Sequence, residues 1–265
     1  PNGFQDSAES LGKTAIEKVL GSSDENILTR MRSMSPEEVL GLEHSVALIV
    51  DGWLFEQDPI ETFLAGKHNN VPIISGYNDG EGLMFVRPAN APSSIQEQRD
   101  RRTNQFGDLG EALVSYYVAD DPNNIYGKEV DYSSDSVFIR ASRELALAGA
   151  RIGQPDSYLY VFERNPNDPS NRASHFMEVP YVFNNLPAQA SSEDKELAKL
   201  INDYWVQFAK TGSPNGPDLP AWPAYDIETK RHQVLDVKIS QGENDRKDEL
   251  DLMDIYVRDT YRSAH

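Results

Sequence analysis

The sequence has no cysteine and no Asn-x-Ser/Thr motif, and each absence excludes something. Without cysteine the chain forms no disulfide, has no thiol nucleophile and offers no cysteine-ligated metal site. Without the asparagine motif it has no acceptor for N-glycosylation. Both absences favour a cytoplasmic or bacterial protein over a eukaryotic secreted one.

Positive charge and long apolar runs are also scarce. The 265 residues include 25 Lys and Arg against 43 Asp and Glu, so the formal net charge is -18. A field of that sign repels nucleic acid and anionic lipid, and neither is expected as a partner. No apolar run approaches the roughly 18 residues that a membrane span needs. The start, PNGFQDSAES, lacks the regions of a secretory signal and resembles a loop inside a longer protein.

Three short apolar segments predict strands, at 71–77, 157–164 and 232–237. Amphipathic segments predict helices at 7–21, 35–40, 58–66, 107–118, 134–153, 192–211 and 247–263. This alternation predicts an α/β fold with a mainly parallel sheet and flanking helices. Three strands are few for a chain of this length, since sheets average roughly five or six. We therefore expect the chain to form part of a larger sheet.

Two loops that follow predicted strands carry candidate functional residues. In open α/β sheets such residues collect beyond the carboxyl ends of the strands. The loop NDGEG, at 78–82, places Glu81 between two glycines, which allow unusual backbone conformations. The loop NRASHFMEVPYVF, at 171–183, carries His175. A carboxylate and a histidine that meet at one sheet edge are the orienting half of a nucleophile–histidine–acid triad.

Four blocks of the sequence resemble the type-B carboxylesterases, the family that includes cholinesterases and some fungal lipases. The stretch VDGWLFEQDPIETFLAGKHNNVPIISGYNDGEGLMF resembles the surroundings of the family's catalytic acid. ASHFMEVPYVFNN resembles its catalytic-histidine block, and SDSVFIRASRELALAGA resembles the helix between the two. DYWVQFAKTGSPNGPDLPAWPAYD resembles the C-terminal block. The blocks stand in the family's order and extend over nearly the whole chain.

The resemblance implies an α/β-hydrolase fold with a Ser-Glu-His triad and no cofactor. Glu81 takes the position of the acid, and His175 that of the general base. Two positions depart from the family. Gly80 stands where an acidic residue is common, which leaves Asp79 as a rival for the acid role. Phe176 stands where glycine often follows the histidine, and we expect it to narrow the space beside the imidazole.

The nucleophile of such a triad is missing from the sequence. No serine has glycine both two positions before and two positions after it, as the nucleophile elbow requires. The nearest match is Ser23, which follows Gly21 but precedes Glu25, and no Gly-Gly run offers an oxyanion hole. In the family these elements lie in the amino-terminal half. We therefore expect residues 1–265 to be the C-terminal half of a single α/β-hydrolase domain, completed by a second polypeptide or by the rest of a longer protein.

Three functions remain open on the sequence. The first is a serine hydrolase that acts on small-molecule carboxylic esters. The second is a lipase of the same family, which differs from the first mainly in its lid and acyl pocket. The third is an inactive cholinesterase-like protein that acts by binding or adhesion, which the presence of both Glu81 and His175 disfavours. By analogy with the family, helices 192–211 and 247–263 are candidates for a homodimer contact.

The remaining candidate residues are assigned structural roles. Glu178 is expected to support the loop, and the aromatic side chains Trp205, Phe208, Trp222 and Tyr225 are expected in the core. The other histidines have no ligand-like spacing with carboxylates, so we expect them at the surface and expect no metal site. They are His44, His68, His232 and His265.

Overall fold

The computed structural model describes residues 7–21, 26–42, 49–107, 110–153, 156–168 and 170–264. The chain divides into two compact units, one of residues 1–62 with 260–265 and one of Phe63–Asp259. Ser23, His44 and His265, named above from the sequence, lie outside the described residues.

A four-stranded mixed sheet lies in the larger unit. Its strands are β1 (Ile73–Asn78), β2 (Ser157–Phe162), β3 (His232–Leu235) and β4 (Ser240–Gly242). They lie side by side in chain order, with β1 parallel to β2, β2 parallel to β3, and β3 antiparallel to β4. The three predicted strands are confirmed with ends shifted by up to two residues. The sequence missed β4, whose three residues Ser-Gln-Gly carry no apolar signal.

The described residues contain eleven α-helices. They are α1 (Ala8–Leu20), α2 (Ile27–Arg32), α3 (Pro36–Leu40), α4 (Pro59–Leu64), α5 (Ile95–Phe106), α6 (Gly110–Tyr117), α7 (Ile125–Ser134), α8 (Arg140–Ile152), α9 (Val179–Val182), α10 (Ser192–Thr211) and α11 (Lys247–Ala264). A π-helical turn, Asp135–Ile139, joins α7 to α8, so the helix predicted at 134–153 is the second part of a longer helical segment.

Local capping chemistry fixes several helix ends where the sequence predicts them. The Ser35 hydroxyl accepts from the N–H of Glu38, whose carboxylate accepts from the N–H of Ser35, and the two bonds form a capping box. At α10 the cap is Ser191, which accepts from the N–H of Asp194 at 3.0 Å. Gly212 ends that helix with a φ of 78°, a conformation that glycine adopts readily.

Side chains of β2 alternate between two core clusters, one on each face of the sheet. On one face, Tyr158 and Phe162 pack against residues of α10 and Trp222. On the other, Leu159 and Val161 pack against residues of α8 and α11. Helices therefore cover both faces of the sheet, as expected for an α/β fold. The predicted core aromatics lie here too, with Trp222 and Tyr225 buried and Trp205 and Phe208 packed against the first cluster.

A buried ion pair joins α8 to α11. The guanidinium of Arg143 lies 2.6 Å from a carboxylate oxygen of Asp254 and 2.9 Å from one of Asp251. The side chains of Arg143 and Asp254 are both almost fully buried. Without Arg143, the buried Asp254 carboxylate would face only the guanidinium of Arg140, which lies farther away at 3.6 Å. Breaking a buried ion pair by removing one partner is strongly destabilising.

We expect Arg143→Ala to lower the free energy of unfolding of the full-length protein by about 3–5 kcal/mol. Chemical denaturation measures this difference. The control is Arg101→Ala, which removes an ion pair with Glu97 on the exposed face of α5 and should cost less than about 1 kcal/mol. Equal effects of the two substitutions would contradict the stabilising role of the buried pair.

Candidate active site

The loops that follow β1 and β2 are joined beyond the strand ends. The N–H of Asp79 donates to the carbonyl of Phe162 at 3.1 Å, and the N–H of Gly80 donates to the carbonyl of Ala173 at 2.9 Å. Gly80 and Ser174 form an isolated parallel bridge. Because the backbone fixes this pairing, the residues that come directly after Gly80 and Ser174 are held side by side.

Glu81 occupies the first of these positions, at the start of a single 3-10 turn, Glu81–Met84. It is 4% exposed. One carboxylate oxygen accepts from the N–H of Asn78 at 2.9 Å, and the other contacts Nδ1 of His175 directly. Burial raises the pKa of Glu81, while the Asn78 N–H and His175 act against that shift. The carboxylate is thus oriented by two partners.

The glycines on either side of the glutamate are required by close packing. A Cβ atom on Gly82 would lie 2.4 Å from the carbonyl oxygen of Val130, and one on Gly80 would lie 2.9 Å from that of Ala173. Neither glycine has a positive φ. The sequence interpretation, that these glycines supply unusual backbone conformations, is therefore wrong. They let neighbouring backbone approach the loop.

His175 lies in a tight turn closed by the N–H of Met177, which donates to the carbonyl of Ser174 at 3.1 Å. Its Nδ1 contacts the buried glutamate. The rings of Phe138 and Phe85 border the imidazole, with centroids at 4.6 and 5.4 Å. Among the described residues Nε2 has no hydrogen-bond partner. The ring is therefore fixed on one side, and Nε2 is available to accept or donate a proton.

Asp79, the rival for the acid role, makes a different contact. Its carboxylate accepts from the N–H of Ala173 at 2.6 Å, and no contact joins it to His175. Burial raises the pKa of Asp79 to about 7, against the opposing effect of the Ala173 N–H. The structure thus brings Glu81 to His175 and uses Asp79 to hold the histidine loop.

Sequence reasoning missed Asn78, which connects the two loops through its side chain. This last residue of β1 is fully buried. Its amide donates to the carbonyl of Ser174 at 2.7 Å and to the carboxylate of Glu178 at 2.6 Å. Glu178 therefore has the supporting contact expected of it. The sequence did carry one signal for Asn78, since it is a polar residue at the carboxyl end of a predicted buried strand.

A polar cavity of about 360 Å³ has a lining that does not include His175. Its lining includes Tyr77, Asp79, Glu163, His232, Asp245 and Arg246. The expectation that His232 lies at the surface is wrong, since it is only 4% exposed. Its imidazole fits against Gly242, where a Cβ atom would come within 2.3 Å of Nε2. His68 is half-buried, with its ring 4.7 Å from that of Phe63.

Two further features concern the part of the chain that the structure describes. No three of its His, Asp or Glu side chains converge as ligands of a metal ion would. None of its helices combines the length and the apolar character needed to cross a membrane.

A mixed sheet with helices on both faces, and a glutamate and a histidine on loops after adjacent parallel strands, defines the α/β-hydrolase class. A solved structure titled PNB esterase superposes with a TM-score of 0.74 at 24% identity, covering 91% of this chain and 53% of that one. The model of the carboxylesterase family matches residues 6–253. The chain belongs to the carboxylesterase family.

Among characterised relatives, para-nitrobenzyl esterase of Bacillus subtilis (strain 168) is 29% identical over 249 residues, which cover 91% of this chain and 48% of that protein. Cocaine esterase of Homo sapiens is 27% identical over 234 residues, covering 77% of this chain and 41% of that protein. The chain thus spans about half the length, or less, of the relatives it matches.

The raised pKa of Asp79 predicts a pH-dependent stability. The folded protein keeps a proton on Asp79 that the unfolded chain releases between the ordinary value of 3.8 and about 7. Stability therefore falls as pH rises through that window. Asp79→Asn keeps an oxygen acceptor for Ala173, so we expect its stability advantage over the native protein to grow from pH 4 to 7, measured by urea unfolding.

The matched control is Asp100→Asn, which makes the same change of charge at an exposed position of α5. Its unfolding free energy should run parallel to that of the native protein across the same pH range. A pH-independent difference between Asp79→Asn and the native protein would contradict the raised pKa.

Proposed function

We propose that this chain is the C-terminal half of a serine carboxylic-ester hydrolase, with Glu81 as its acid and His175 as its general base. The observation that carries the proposal is the contact between Nδ1 of His175 and the carboxylate of Glu81. These residues are 94 positions apart, and the glutamate is buried. Membership of the carboxylesterase family favours ester hydrolysis as the reaction that this pair serves.

The orientation of the imidazole supports a role in proton transfer. With the proton of Nδ1 directed at Glu81, the lone pair of Nε2 points away from the carboxylate. Nε2 then accepts the hydroxyl proton of a serine as its oxygen bonds to the ester carbonyl carbon. The imidazolium that results lies against the buried carboxylate, which stabilises its charge. Glu81 keeps its own charge throughout.

In both acylation and deacylation, the proton taken up by His175 is later returned. The imidazolium donates it to the leaving alcohol oxygen as the carbon–oxygen bond breaks, which leaves an acyl-serine. A water then gives a proton to Nε2 and attacks the acyl carbon. Breakdown of that intermediate releases the carboxylic acid, and the serine oxygen takes the proton back. No cofactor is needed, and the net charge of -18 favours neutral or cationic esters.

The serine is proposed to come from an amino-terminal half, either as a second polypeptide or as part of a longer protein. The absence of a nucleophile elbow from this sequence supports that arrangement. So does the edge of β1, which among the described residues pairs only with β2. Parallel strands added along that edge would end at the same side of the sheet as Glu81 and His175, where a serine on a following turn is needed.

We expect His175→Gln to lower the hydrolysis of p-nitrophenyl esters by the full-length enzyme at least about 10³-fold, because it removes the general base. Glu81→Gln should lower kcat as well, since it removes the charge opposite the imidazolium. The control is His68→Gln, a half-buried histidine outside the site. Native rates in His175→Gln would refute the assignment.

A fluorophosphonate probe tests where the nucleophile lies. The probe labels activated serines. Mass spectrometry should therefore find the label on a serine of the amino-terminal half and on none of the 265 residues of this sequence. Labelling should be strongly reduced in His175→Gln. Absence of label from a preparation that contains both halves would refute the serine-hydrolase proposal.

A further inference from the structure

Phe176, the residue after the histidine, has a backbone conformation that disfavours its own side chain. It occupies the third position of the turn from Ser174 to Met177, with a φ of 70°. Turns with positive φ at that position are normally built with glycine. For a bulky side chain such a φ is an outlier. Other described residues with positive φ, such as Asn184, include types that tolerate it better.

Burial does not explain why an aromatic residue stands there. Phe176 is 61% exposed. Its ring lies against the imidazole instead, with centroids 4.1 Å apart and planes inclined at 54°. The Phe138 ring also borders the imidazole, at 4.6 Å. A strained, exposed residue in contact with a reactive group points to a function in the site.

The reaction determines which part of the ester passes this ring. In the proposed mechanism Nε2 of His175 gives a proton to the leaving alcohol, so the alcohol oxygen must come within about 2.6–3.2 Å of Nε2. The first carbons of the alcohol then lie beside the imidazole, in the space that the Phe176 ring borders. The acyl group is held on the other side of the reacting carbon, by the serine.

We propose that Phe176 is a specificity-determining residue that limits branching in the leaving alcohol. This inference rests on the proposed ester hydrolysis. A straight alkyl chain can pass the edge of the Phe176 ring. A quaternary carbon bonded to the first carbon of the alcohol collides with that ring. The large-to-small substitutions Phe176→Ala and Phe176→Gly open that space, and glycine also suits the turn.

The test compares n-pentyl acetate with neopentyl acetate in the full-length enzyme. These esters have the same acyl group and the same number of carbons, and differ only in branching of the alcohol. Both substitutions should raise the neopentyl to n-pentyl ratio of kcat/KM at least about 10-fold, the range that one or two methyl groups command in an apolar site. Acid release in a pH-stat measures both rates.

Two controls separate the ring from the turn. Asn184→Gly replaces another positive-φ residue, at 46°, and Phe183→Ala removes another exposed ring of the same segment. Neither side chain contacts His175 through a ring contact or hydrogen bond, so both variants should keep the native ratio. The ratio for p-nitrophenyl esters of hexanoic and 3,3-dimethylbutanoic acid, which are isomers that differ only in branching of the acyl group, should stay within about twofold in all variants.

An unchanged alcohol ratio in both Phe176 variants, with native fluorophosphonate labelling, would overturn the inference. So would a shift in the acyl ratio instead, or loss of all hydrolysis in a folded Phe176→Ala protein. Failure of the underlying function is distinguishable, because His175→Gln would then keep native rates. If His175→Gln is inactive and the alcohol ratio does not move, only the role of Phe176 fails.

Discussion

The parallel pairing of β1 with β2 continues past the ends of both strands, and the site depends on that continuation. Strand register determines which residues face each other, and here it carries on through Asp79 and Gly80 to the histidine loop. A shift of one residue would turn Glu81 away from the imidazole, because successive side chains point in opposite directions. The position of the carboxylate is thus a consequence of sheet geometry.

Burial of Glu81 is tolerable because its two oxygens have separate partners. The Asn78 N–H holds one oxygen and the imidazole holds the other. An unpartnered buried carboxylate would gain a proton, and burial does raise the pKa of this one. Asn78 therefore matters twice, since its backbone orients Glu81 and its side chain holds Ser174, next to the histidine.

Features with a local signal could be predicted from the sequence. Apolar runs marked the three parallel strands, and the rule that functional residues follow strand ends pointed to Glu81 and His175. Helix α5 was not predicted, because its sequence, IQEQRDRRTNQF, has only Ile95 and Phe106 as apolar residues. It buries Gln98 and Arg102 through polar contacts to Glu129, which no hydrophobic period reveals.

Contacts made across the fold had no local signal. His232 has no ligand-like spacing with carboxylates, and on that ground it was expected at the surface. Its burial depends on Gly242 of β4, an antiparallel neighbour that the sequence did not reveal. The same limit applied at Phe176. The residue type predicted a narrower space beside the imidazole, but it did not reveal that the backbone of Phe176 has a positive φ.

The contacts that orient the imidazole all lie within the larger unit, Phe63–Asp259. The strand pairing, the Asn78 bonds and the packing of Phe138 need no residue beyond it. The proton-transfer half of the proposed triad is therefore ordered without the nucleophile. An incoming serine would meet an imidazole whose orientation is already fixed, so the ordering entropy of that side chain does not oppose catalysis. Under this arrangement the amino-terminal half must supply the serine and the oxyanion hole.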